Sequence, residues 1–191
     1  MRYHGLHDFH EHIFLTQIKF FYSFLRLPLY HHPKKIQKIT TMKINHKFPQ
    51  FYLRLALGIG FIVPVLDRIG WLGPAGSKNV GWGNWDNFVD YTNTLMPFLE
   101  RPMANVMGGI ATIAEVLFGL MLIIGLKTRV AAFGSFLLTL SFGLCMAMSL
   151  GLKAPLNYSV FAVSGASLLL STMSGYKWSL DEYFSEKLPE S

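Results

Sequence analysis

Two ionisable side chains fall inside the long apolar stretches of this chain: Arg54 in "FYLRLALGIGFIVPVL" and Glu115 in "AEVLFGLMLIIGLKTR". A bare charge in such surroundings costs several kcal/mol, so each needs a partner. At ~1.5 Å per helical residue, Glu115 lies roughly 16 Å from the inner end of its segment, and Arg54 about 9 Å from the inner end of its own. Both side chains are long enough to close that difference, and an Arg54–Glu115 pair facing the interior would satisfy both groups. Such a pair has two readings: a registry lock between helices, or a polar site for a quinone head group or a proton.

A second group lies toward the opposite end: Asp67, Trp82, Trp85, Tyr91, Asn157 and Tyr158. Their types allow an outer polar and aromatic site, and equally a belt of rings at the membrane–water boundary. Asp67 and Arg68 close the first apolar segment and read as solvated end charges, with Asp67 placed to meet the aromatic loop. No histidine follows His46, the only cysteine is Cys145, and no cysteine pair exists. The apolar segments therefore lack the ligands of a bis-histidine haem, a copper site or a di-iron site. No metal site and no intrinsic cofactor are expected. Electrons would come from a partner or pass through a bound quinone. There is no glycine-rich phosphate loop after a strand, and no Ser/His/Asp set within the apolar segments.

The elements that must position these residues are helices in a bilayer. Half of the 191 residues are apolar and only 15% are charged, and long uncharged segments alternate with basic clusters. The mean hydropathy is +0.34. This is the pattern of a polytopic membrane protein, and no basic stripe with interleaved aromatics suggests nucleic acid. Four segments approach the ~20 residues a bilayer core requires: about 48–66, 103–126, 130–150 and 155–174. The expected fold is an all-α integral membrane bundle of four spans with one longer aromatic-rich outer loop. "LKTR" is so short that the second and third spans must be antiparallel neighbours. The first connection carries three tryptophans among glycines and prolines, and is expected to fold over the outer mouth with a short helix from Trp85 to Leu95. Ser135, Thr139, Gly143 and Ala147 recur at every fourth position of the third span, a helix-packing seam.

Lys43, Lys47, Lys127, Arg129, Lys177 and Lys187 fall on one side, against Arg68, Lys78, Arg101 and Lys153 on the other. The positive-inside rule then places both termini in the cytoplasm. The membrane domain is read as 42–178 and the cytoplasmic tail as 179–191. Residues 1–41 hold all the histidines but His46, and a basic amphipathic run. They are either a segment lying on the inner leaflet or an extension upstream of a start at Met42.

In their order along the chain, these motifs resemble the DoxX/DoxD family of membrane proteins. "LRLALGIGFIVPVLDRIG" is similar to its first helix, and "AEVLFGLMLIIGLKTRVAA" to its second helix and tight turn. "VGWGNWDNFVDYT" and "LKAPLNYSVF" resemble the outer-loop and fourth-helix signatures of a bacterial branch. The resemblance covers about Phe51 to Thr172. It implies a four-helix protein of the bacterial inner membrane. Some relatives are the small subunit of a thiosulfate:quinone oxidoreductase, and another accompanies a complex of a sulfurtransferase and a superoxide dismutase. The expected role is thus a non-catalytic or quinone-interacting subunit of a sulfur- or stress-linked oxidoreductase. The expected partners are the lipid bilayer, a sulfurtransferase or dehydrogenase subunit, or a second copy of the chain. The alternative is a structural or assembly bundle that stabilises another membrane protein without redox turnover. The family name constrains fold and location better than reaction.

Overall fold

The computed structural model describes residues 46–187, so the expectations for residues 1–41 lie outside the described residues. Within that range every regular element is a helix: α1 (Lys47–Arg68), α2 (Trp85–Leu95), α3 (Arg101–Ile124), α4 (Thr128–Leu150), α5 (Lys153–Asn157), α6 (Val160–Ser171) and α7 (Leu180–Lys187). The short loop helix α2 forms over the residues expected for it. Asn84 starts it by accepting a hydrogen bond from the Asn87 amide at 2.9 Å; the side chain thereby satisfies an amide the helix leaves open.

Three helices are long and apolar enough to cross a membrane: α1, α3 and α4, with 22, 24 and 23 residues. At ~1.5 Å per residue each exceeds the ~30 Å hydrocarbon core. Their outward faces carry Ile59, Val63, Ile113, Leu117, Leu137 and Leu144, all exposed. In water so much exposed apolar surface would be a liability; in lipid it is the natural outer face. The expected fourth span is shorter than the sequence suggested. Its apolar helix α6 has 12 residues, about 18 Å of rise. Left-handed Ser159, at φ 55°, separates it from the five-residue helix α5 that contains Pro155. The bundle is therefore three long helices and a fourth, shorter apolar one.

Close crossings fix the packing. A Cβ on Gly58 of α1 would lie 2.9 Å from the Gly119 carbonyl oxygen of α3 and 2.7 Å from Ile123 Cγ1. These two backbones meet because both residues lack side chains. The small-residue seam on α4 packs against α6. Ser135, Thr139 and Gly143 are buried, Gly143 lies under Phe161, and the Ser164 hydroxyl donates to the Phe136 carbonyl. Between α3 and α4, Gly125 takes the left-handed conformation at φ 71° that ends α3 and turns the chain within three residues. Hereafter the end of the bundle bearing this turn is the turn end, and that bearing residues 69–100 the loop end.

The Gly58–Gly119 crossing makes a direct prediction. Gly58→Ala forces the helices apart and should cost about 1–3 kcal/mol. Gly60→Ala, where a Cβ meets nothing within 4 Å, should be neutral. Thermal unfolding of the two purified variants in detergent checks this, and equal melting temperatures would contradict it.

Candidate functional site

The charges of the bundle are paired differently from the expectation, and the crossing explains why. With Gly58 level with Gly119, Glu115 stands level with about Ile62 of the antiparallel α1. Arg68 is then about 9 Å away along the axis and Arg54 about 12 Å. Side chains on a helix also lean toward its N-terminus. Arg68 therefore leans down toward Glu115, Glu115 leans up toward Arg68, and Arg54 leans away. In the structure Arg68 Nη1 lies 2.7 Å from Glu115 Oε2. Arg68 is only 2% exposed and Glu115 4%. The expected Arg54–Glu115 pair does not form, and Arg68 is not a solvated end charge.

Arg68 is enclosed on every side. Its Nη1 donates to the Thr112 hydroxyl at 2.7 Å, one turn before Glu115, and its Nε donates to the Pro64 carbonyl at 3.2 Å. The guanidinium carbon sits 4.0 Å from the centre of the Phe88 ring and 5.4 Å from that of Trp82, both within cation–π range. Gly108 makes room for Phe88: a Cβ there would lie 2.9 Å from the ring. The pair is thus walled by α1 and α3 and roofed by aromatic rings of the loop.

Asp67 holds that roof in place. Its carboxylate accepts from three successive backbone amides, those of Gly81 at 2.8 Å, Trp82 at 3.3 Å and Gly83 at 3.1 Å. A run of convergent amides is an anion nest, and it offsets the cost of an acid at the C-terminal end of a helix. Both glycines are needed. A Cβ on Gly81 would approach Asp67 Oδ2 to 2.9 Å, and Gly83 sits at φ 69° with Ala75 backbone in the way. Trp82, so anchored, packs edge-on against Phe88 and tilted against Tyr91, while Trp85 packs on Phe88 from the other side. Trp85 Nε1 also donates to Asn105 of α3 at 2.7 Å.

Of the residues marked in the sequence for the outer site, Asp67, Trp82, Trp85 and Tyr91 come together here. Tyr158 is exposed but near enough to influence Tyr91. Burial first, and Tyr158 second, hold the Tyr91 phenol above its ordinary pKa. Asn157 ends α5 as an exposed residue. Sequence reasoning missed Arg68, Phe88 and Thr112. The signal was available in the lean of side chains along antiparallel helices, which favours Arg68 over Arg54.

Arg54 serves the turn end. It is 1% exposed, donating from Nη2 to the Trp178 carbonyl at 2.6 Å and from Nη1 to the Lys177 carbonyl at 3.3 Å. Gln50, one turn earlier, donates to the same Lys177 carbonyl at 3.0 Å. Three residues after Trp178, Asp181 accepts from the amides of Lys127 and Thr128 at 2.6 and 2.8 Å, capping the start of α4. The Asp181 amide in turn donates to the Gly125 carbonyl at 2.9 Å. The chain from Tyr176 to Asp181 is thus a strap across the α3–α4 turn. Among the described residues no group of three or more His, Cys, Asp or Glu side chains could hold a metal.

The family model for DoxX matches residues 49–148, which includes nearly all of α1, the whole of α2 and α3, nearly all of α4 and the whole Arg68–Glu115 site. No solved structure matches the chain.

The Asp67 nest sets a measurable barrier. Asp67→Ala removes a charged acceptor from three amides and should ease loop opening by about 2–3 kcal/mol, on the order of 30- to 150-fold. Limited proteolysis within residues 70–84 should accelerate accordingly, with Asp67→Asn intermediate. Cleavage at the unaltered rate would show that the carboxylate does not hold the loop.

Proposed function

Since the chain belongs to the DoxX family of membrane proteins and buries a charge pair beneath a roof of aromatic rings, we propose that it is a quinone-interacting membrane subunit of a sulfur- or stress-linked oxidoreductase. The observation that carries this reading is the Arg68–Glu115 pair under Trp82 and Phe88. A quinone head is a flat ring with two carbonyl oxygens. Arg68 supplies N–H donors for a carbonyl oxygen, and Trp82, Phe88 and Tyr91 supply flat apolar surface. Reduction of a quinone to a quinol takes up two electrons and two protons. Glu115 would relay the two protons one after the other, while the two electrons come from a partner of the sulfurtransferase or dehydrogenase class.

The same reading puts the protein in the bacterial inner membrane with both termini cytoplasmic. Lys47, Lys127, Arg129, Lys177 and Lys187 lie at the turn end. At the loop end Arg68 is neutralised inside the bundle, and Arg101 pairs with Asp86 and Asp90. By residue count the basic side chains are in modest excess at the turn end, these five against Arg68, Lys78, Arg101 and Lys153 at the loop end, in the sense of the positive-inside rule.

One observation favours a second reading, a structural bundle that supports a partner membrane protein. Arg68 already donates to Pro64 and Thr112 and pairs with Glu115, as a pure helix lock would. Titrating decyl-ubiquinone into the protein in liposomes, followed by tryptophan fluorescence, separates the two. The quinone reading expects saturable quenching. Glu115→Gln should weaken it about tenfold, equivalent to ~1.4 kcal/mol, in protein that is still folded at the assay temperature. Trp82→Leu should weaken it similarly. Quenching that never saturates in well-folded protein overturns the quinone reading and leaves the structural one.

A further inference from the structure

We propose that α7 together with Trp178 is an interfacial anchor, seated in the lipid leaflet at the turn end of the bundle. Leu180, Tyr183 and Phe184 fall at i, i+3 and i+4 of α7, so they share one helix face, and all three are exposed. Two of the acidic residues point elsewhere. Asp181 faces the α3–α4 turn, and Glu182 folds back to accept from the Trp178 amide and pair with Lys177. The apolar face stays exposed, with only the Lys187 ammonium lying over the Tyr183 ring.

Trp178 extends this face. It is 58% exposed and lies in the left-handed region at φ 54°, a conformation that strains a bulky side chain. It is kept there by the bond from buried Arg54 to its carbonyl and by the edge-on contact of its ring with Phe51. The fold thus bears a backbone cost and a buried cation to hold a tryptophan outward at the end of a membrane bundle.

The occupant follows from what the face joins. Trp178, Leu180 and Tyr183 line an open groove with Ile124, the last residue of α3, while Ser179, Glu182 and Glu186 form its polar edge. Ile124 is exposed and continues the apolar outer surface of that helix through Leu120 and Leu117. The α7 face is the end of a lipid-facing surface, and it is built from Trp, Tyr and Phe, the first two being residues that favour the head-group layer. A short amphipathic helix with such rings on one side lies in the interface plane. Lys187, beside Tyr183, is positioned to reach lipid phosphates. This inference stands whether or not the bundle binds quinone.

Nitroxide accessibility in the full chain tests it. Single cysteines at Tyr183, Phe184 and Glu186, with Leu117 as a lipid-facing reference, are introduced in a Cys145→Ala background. They are spin-labelled in phosphatidylethanolamine–phosphatidylglycerol liposomes. All four positions are exposed or lipid-facing, so the fold is expected to survive, and melting temperatures verify it. Labels at 183 and 184 should be severalfold more accessible to oxygen than to a nickel chelate, approaching position 117, while position 186 shows the reverse. Nickel access at 183 and 184 equal to that at 186 would place the helix in water and overturn the proposal. Exclusion of both reagents would show that a protein surface covers this face, such as a second copy of the chain, and would overturn it as well.

Discussion

The arrangement of the loop end follows from one constraint: a glutamate in the middle of a membrane helix must not be left alone. Glu115 cannot reach water, and its partner has to come from a neighbouring helix at the right depth. Arg68 meets that need from the far end of α1 by folding back along its own helix, bonding the Pro64 carbonyl on the way. An arginine so placed would leave the rest of the helix end open. Adjacent Asp67 closes it by drawing the amides of Gly81, Trp82 and Gly83 onto itself. Two consecutive residues of opposite charge therefore serve opposite directions, one into the membrane and one into the loop. The aromatic rings settle on Arg68 as a result.

The turn end obeys the same physics with a different solution. Arg54 is as buried as Arg68, but among the described residues no carboxylate lies within salt-bridge distance of it, and backbone carbonyls of residues 177 and 178 accept from its two terminal nitrogens. Arginine suits this role because its planar fork reaches two carbonyls at once and its charge is retained on burial. The strap it holds supplies Asp181 to cap α4, whose own N-cap residue, Lys127, makes no side-chain cap. Breaking Arg54 would thus be felt at α4 as well as at the C-terminal segment.

Much of this was legible from the sequence. Helices α1, α3 and α4 announce themselves by length and apolarity, and the short helix from Trp85 to Leu95 was expected within the aromatic loop. Two features were not legible from composition. A left-handed Ser159 divides the fourth segment into α5 and α6, and no residue type in "PLNYSV" demands that break. The partner of Glu115 depended on helix register, which hangs on Gly58 meeting Gly119; counting residues from helix ends pointed to Arg54 instead. Once the crossing is known, side-chain lean decides between the two arginines. The recruitment of Phe88 and Thr112 follows from the same register, and is invisible to any reading of one segment at a time.

A double-mutant cycle on the unfolding free energy of the purified protein tests the central claim most directly, with Glu115→Leu combined first with Arg68→Met and then with Arg54→Met. Each single change at the Arg68–Glu115 pair strands a buried charge and should cost about 3–5 kcal/mol, while the double change should recover most of that loss. The Arg54 and Glu115 changes should instead add, to within about 0.5 kcal/mol. Additive losses for Arg68 with Glu115, or strong coupling of Glu115 to Arg54, would contradict the account.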